Sequence, residues 1–149
     1  MKNKSVLFSF LAVLATAFIF YNSFQTAPES AKASGFFVDF IIRSFAAINK
    51  HLDVHTITVL VRKIAHIIEY FLQGTFISLA YFYGRGRFAN KVVYVMFFGL
   101  LTANIDEYIQ GYISGRGSML IDVWIDFAGV LLAVLFYFII SAVSGRKKL

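Results

Sequence analysis

Three stretches of this chain carry acids, bases and amides inside otherwise apolar runs. The first is Arg62-Lys63-Ile64-Ala65-His66-Ile67-Ile68-Glu69-Tyr70. Arg62, His66, Glu69 and Gln73 follow at intervals of 4, 3 and 4 residues, so a helix presents all four on one face. The second stretch holds Asn104, Asp106, Glu107 and Gln110, with Asp106 and Gln110 one helical turn apart. The third opens with Asp122 and Asp126, again i,i+4, and continues to Gly129. Arg116 stands between the second and third in Ser114-Gly115-Arg116-Gly117.

Several chemistries fit these residue types. Carboxylates offer hard oxygen ligands to Mg²⁺ or Ca²⁺. A histidine among them also admits Zn²⁺ or Mn²⁺. The candidate metal ligands are His66, Glu69, Asp106, Glu107 and Asp126. Beside such a metal, His66 can serve as acid or base in hydrolysis or group transfer. Arginines suit phosphate or carboxylate headgroups. No protein nucleophile stands out: there is no Cys, and Ser114 and Ser118 lie in a turn without an evident partner. His51 and His55 are also i,i+4, the spacing of a metal pair, but two histidines in a loop beside the membrane read as solvated.

The elements that must position these groups are membrane spans. The chain has 149 residues, 59% hydrophobic and 15% charged, with a mean hydropathy of +0.73. Soluble domains run at about 45–50% apolar and about 25% charged, so this chain is expected to be integral to a membrane. The net charge of +6 sits beside apolar runs, which points to anionic lipid headgroups rather than nucleic acid. Apolar runs at about 6–24, 59–83, 92–113 and 120–143 predict an all-α bundle of four transmembrane helices, a single domain over 1–149. The first run, led by Lys2 and Lys4, also fits a signal peptide cleaved near Ala15–Ala17 or Ala27. Large residues (Phe18, Phe20, Tyr21) follow it where cleavage favours small ones, so an uncleaved span is expected.

Residues 22–61 form the longest stretch outside the spans. Asn22–Ser34 is small and polar and contains Pro28. In Phe36–Asn49, Phe37, Phe40, Ile41, Ser44, Phe45 and Ile48 fall near one helical face, with Asp39, Arg43 and Lys50 elsewhere. That pattern suits an amphipathic helix, lying on the membrane surface or packed on the spans. Gly84-Arg85-Gly86-Arg87 breaks the chain after the second span, and residues 145–149 close it with a basic tail. Eight Lys and Arg lie on the side of the N-terminus, the 85–91 loop and the tail, against six on the other side. The excess places both termini in the cytoplasm and residues 22–61 outside.

With that alternation, the polar residues of spans two, three and four fall at one depth. His66 and Glu69 lie ~6–10 Å beyond Arg62, and Asp106, Glu107 and Asp126 are similarly placed from the outer ends of their spans. Charged groups inside spans cost free energy and default to a functional hypothesis. At this level Arg62, Lys63 and Arg116 face Glu69, Asp106, Glu107, Asp122 and Asp126, an excess of two negative charges. Either carboxylates hold protons, or His66 does, or a cation binds. A purely structural network that glues the helices together and a proton or ion path remain open beside a ligand site. Gly74, Gly99 and Gly129 are expected to permit close helix contact. Tyr70, Tyr108, Tyr112 and Trp124 fit an interfacial aromatic belt.

These motifs resemble the VanZ-like family of bacterial membrane proteins. The resemblance rests on Arg62-Lys63-x-x-His66-x-x-Glu69-Tyr70, on Asp106-Glu107-x-x-Gln110, on Gly115-Arg116 followed by Asp122 and Asp126, and on Phe20-Tyr21-Asn22-Ser23-Phe24-Gln25. The ordered set extends from about 20 to 130, with residues 26–58 matching less well. It implies an integral membrane protein of four or five helices in the cell envelope, here expected in the bacterial cytoplasmic membrane. It also suggests a link to low-level resistance to the glycopeptide teicoplanin, the property of the family's founding member. Three functions are thus expected as alternatives. They are an outer-leaflet site for an envelope lipid, lipid-linked precursor or glycopeptide; a metal-dependent enzyme on such a lipid; and a non-catalytic membrane partner subunit.

Overall fold

The computed structural model describes residues 2–46, 53–83 and 88–143. All of its regular structure is helical, and no strand occurs among the described residues. In chain order the helices are α1 (Lys2–Ser23), α2 (Ala27–Ala46), α3 (Val54–Tyr83), α4 (Phe88–Gln110) and α5 (Leu120–Val143). His51, the Gly84–Arg87 break, the basic tail and the last residues of the expected amphipathic helix lie outside the described residues.

Local chemistry sets several boundaries. Thr26 and Glu29 form a capping box at the start of α2: the Thr26 backbone N–H and hydroxyl donate to Glu29 Oε2 at 2.8 and 2.7 Å. Those bonds hold the Glu29 carboxyl below its ordinary pKa. Pro28 then falls in the first turn, where its missing N–H costs nothing. The polar stretch 22–34 is therefore not a loop. Only residues 24–26 separate α1 from α2. Asp53 caps α3 in the same way, accepting from the Thr56 backbone N–H at 2.8 Å and from its hydroxyl at 2.6 Å. This cap starts the helix at Val54, ahead of the expected boundary at 59. α4 ends at Gln110 rather than 113, and residues 111–119 turn the chain into α5. Gly115 takes a left-handed φ of +76°, which a side chain would strain.

α1, α4 and α5 contain segments long and apolar enough to cross a membrane, at Asn3–Ser23, Asn90–Gln110 and Leu120–Val143. α3 has 30 residues, ample length for a crossing, but Arg62, Lys63, His66, Glu69 and Gln73 keep it below that apolar standard. It is also the hub of the bundle, packing against each of the other four helices and most extensively against α5. Ile19, Tyr70, Val95, Ala103, Val123, Phe127, Val130 and Val134 form the core between α1, α3, α4 and α5. Large apolar side chains such as Phe10, Phe18, Phe97, Leu135 and Ile139 point outward, as lipid-facing residues do.

Glycines bring the backbones together. A Cβ added at Gly129 would overlap the Ile67 carbonyl oxygen and sit 3.0 Å from Tyr70 Cβ, so α5 rests directly on the α3 backbone there. Gly74 and Gly99 similarly receive Ala133 and Val130 of α5. α2 buries Val38 against α3 while Phe36, Phe37 and Phe40 face outward. Its packed face is thus offset from the phenylalanine-rich face that the sequence pattern picks out.

Candidate functional site

Helical periodicity and the Gly129 contact together determine which side chains meet. Asp126 lies one turn before Gly129, and His66 directly precedes Ile67, whose carbonyl Gly129 touches. His66 Nδ1 accordingly stands 3.4 Å from Asp126 Oδ1 and 3.7 Å from Asp106 Oδ2. One turn beyond His66, Tyr70 is fully buried and its hydroxyl donates to Asp106 Oδ2 at 3.1 Å. Tyr70 is therefore a member of the polar group and not part of an interfacial belt. Tyr108, Tyr112 and Trp124 are exposed.

Asp106 is the most heavily bonded acid. Gln110, one turn on, donates to Asp106 Oδ1 at 2.9 Å. The Ser23 hydroxyl at the end of α1 contacts the same oxygen. Glu69 accepts from Asn22 Nδ2 at 2.9 Å through Oε1, while its buried Oε2 has no partner. Gln73 lies one turn deeper and donates to Thr16 at 2.8 Å and Thr102 at 3.0 Å. The result is a ladder: successive turns of α3 meet successive turns of α4 and α1, which run antiparallel to it. Asn104 does not join, being exposed and bonded to Leu100 O of its own helix at 2.7 Å.

The remaining charged residues gather above this group. Lys63 pairs with Asp122 at 2.6 Å, both about one-third exposed. Glu107 accepts the Met119 backbone N–H at 2.8 Å, tying the end of α4 to the start of α5. Arg62, Lys63, His66, Glu107, Gln110, Arg116, Asp122 and Asp126 line a cavity of about 390 Å³, closed on one side by residues 115–119. Arg62 Nε and Arg116 Nε and Nη1 are buried and meet no acceptor among the described residues. Burial, and then the neighbouring Arg62 guanidinium, lower the Arg116 pKa from its ordinary value. Two cationic forks thus stand together over a floor formed by an imidazole and carboxylates.

The pattern extends along the whole bundle. A model of the VanZ/LLP1 family matches residues 8–141. The chain belongs to the VanZ/LLP1 family. Comparisons with curated proteins and with solved structures found no match. Family and apolar helices together make this a VanZ-like membrane protein.

All eleven candidate site residues lie in or against this cluster. Sequence reasoning missed the contribution of α1: Asn22 and Ser23 bond to Glu69 and Asp106, and Thr16 accepts from Gln73. One signal was available. Asn22 and Ser23 are the first polar pair after a long apolar run, at the depth where the other helices carry their acids.

Proposed function

We propose that this VanZ-like protein crosses the cytoplasmic membrane four times with both termini inside, and that its cavity takes the phosphate of an anionic envelope lipid or lipid-linked precursor at the outer leaflet. The position of α3 at the centre of the bundle supports a fourth crossing, because the other helices cover its polar face. The outward phenylalanines of α2 suit a helix lying at the bilayer surface.

The observation that carries the headgroup reading is a pair of half-buried arginines, Arg62 and Arg116, whose buried nitrogens (Nε of Arg62, Nε and Nη1 of Arg116) lack an acceptor among the described residues. A buried unsatisfied donor costs about 1–3 kcal/mol, more when charged. An anionic oxygen between the two forks would remove that cost and offset their mutual repulsion. Lys63 is already engaged by Asp122, so the arginines are the groups left for a ligand.

The test uses native mass spectrometry of the full chain in detergent with phosphatidylglycerol and, separately, phosphatidylcholine. Wild type should retain phosphatidylglycerol adducts preferentially. Arg62→Ala and Arg116→Ala should weaken them about tenfold or more, as loss of a charge-assisted hydrogen bond implies. Adducts unchanged in both variants would overturn the reading. Growth of cells carrying the same variants under a teicoplanin-type glycopeptide shows whether the pocket bears on resistance.

A further inference from the structure

We propose that His66, Asp106 and Asp126 form the protein half of a site for a first-row divalent ion of the Zn²⁺ or Mn²⁺ kind, at the floor of the cavity. The inference goes beyond headgroup binding and does not depend on it.

Geometry comes first. One ligand atom from each of the three residues lies within 4.8 Å of the others. His66 Nδ1 is 3.4 Å from Asp126 Oδ1 and 3.7 Å from Asp106 Oδ2, with no hydrogen bond to either. Two ligands each about 2.0–2.1 Å from one ion at tetrahedral angles stand roughly 3.3–3.4 Å apart. The spacing is that of atoms that can share one ion. One imidazole nitrogen with two carboxylates is a donor set for Zn²⁺ or Mn²⁺ more than for Ca²⁺.

An independent observation points to a ligand at the same place. Asp126 is 1% exposed and lines the cavity, yet its Oδ2 meets no donor among the described residues. A buried carboxylate oxygen without a partner is costly, and a cation at this spot would satisfy it. Asp106 shows the complementary feature. Tyr70, Gln110 and Ser23 hold its carboxylate from three helices, as groups behind a metal ligand orient it.

The test measures metal in the full chain, purified in detergent through a histidine-free tag. The protein is loaded with ZnCl₂ or MnCl₂, desalted and assayed by inductively coupled plasma mass spectrometry. Wild type and Asn104→Ala should hold about one ion per chain, while Asp126→Asn and His66→Gln should fall below about a tenth. Wild type below a tenth with both metals overturns the proposal, as does full retention in both variants. Where a variant does not fold, Mn²⁺-loaded wild type still decides: its electron spin echo should show the nitrogen modulation of a histidine ligand, and a bare Mn²⁺ signal overturns the site. Arg116→Ala separates the two proposals, since it should lose phosphatidylglycerol adducts and keep the ion.

Discussion

His66 and Asp126 are held 3.4 Å apart by a residue that touches neither chemically. Gly129, one turn after Asp126, lets α5 lie on the carbonyl of Ile67, the residue after His66. Any Cβ at that position must push α5 off α3 and draw Asp126 away from the imidazole. Gly129→Val should therefore destabilise the protein by about 1–3 kcal/mol or more. Thermal unfolding in detergent reads the loss, and an unchanged midpoint would mean that the two helices are not pressed together there.

Lys63 and Asp122 form the most exposed polar link between α3 and α5. Because both side chains are about one-third accessible, screening limits their worth to about 0.2–1 kcal/mol. Lys63→Ala should lower stability by no more than that, and less at high salt. The reversed pair, Lys63→Asp with Asp122→Lys, should recover most of the loss. A cost well above this range would show that Lys63 also supports the cavity by another route.

Tyr70 presents a stricter case. Its ring is fully buried and its hydroxyl reaches Asp106. Tyr70→Phe keeps the ring and removes one donor from a buried carboxylate, so a cost of about 1–3 kcal/mol is expected. A double-mutant cycle with Gln110→Leu should reveal coupling, because both donors serve one acid. Strict additivity would mean that the two donors act independently.

The chain has no Cys, so a single introduced thiol reports its own side of the membrane. Ser114→Cys, in the turn beside the cavity, should react with a membrane-impermeant maleimide in intact cells. Asn90→Cys, at the opposite end of α4, should react only after permeabilisation. The reverse pattern would invert the proposed orientation and place the cavity on the cytoplasmic side.

Much of the site was legible before any coordinates because its residues recur at helical intervals. Arg62, His66, Glu69 and Gln73 announce one face of α3, and Asp126 with Gly129 announces the contact on α5. Tyr70 was harder, since a tyrosine near a span end fits either an interface or a buried hydroxyl until the partner acid is known. The part played by α1 depended on contacts across 47 and 83 residues of chain, from Asn22 to Glu69 and from Ser23 to Asp106. No local spacing encodes such a pairing. The stretch 22–34 shows only as small and polar in the sequence, whereas Pro28 occupies the first turn of α2, which tolerates it.

Those two long-range contacts bear on the fate of the leading segment. Were α1 trimmed off as a disposable address, Asp106 would lose the Ser23 hydroxyl, Glu69 the Asn22 amide, and the core would be left open where Ile19 now sits. Asp106 would keep Tyr70 and Gln110, but Glu69 would lose the one hydrogen bond that its carboxylate makes among the described residues. The first helix is thus a brace for the acids beneath the cavity, and maturation that discarded it would take away bonds that the other helices do not replace.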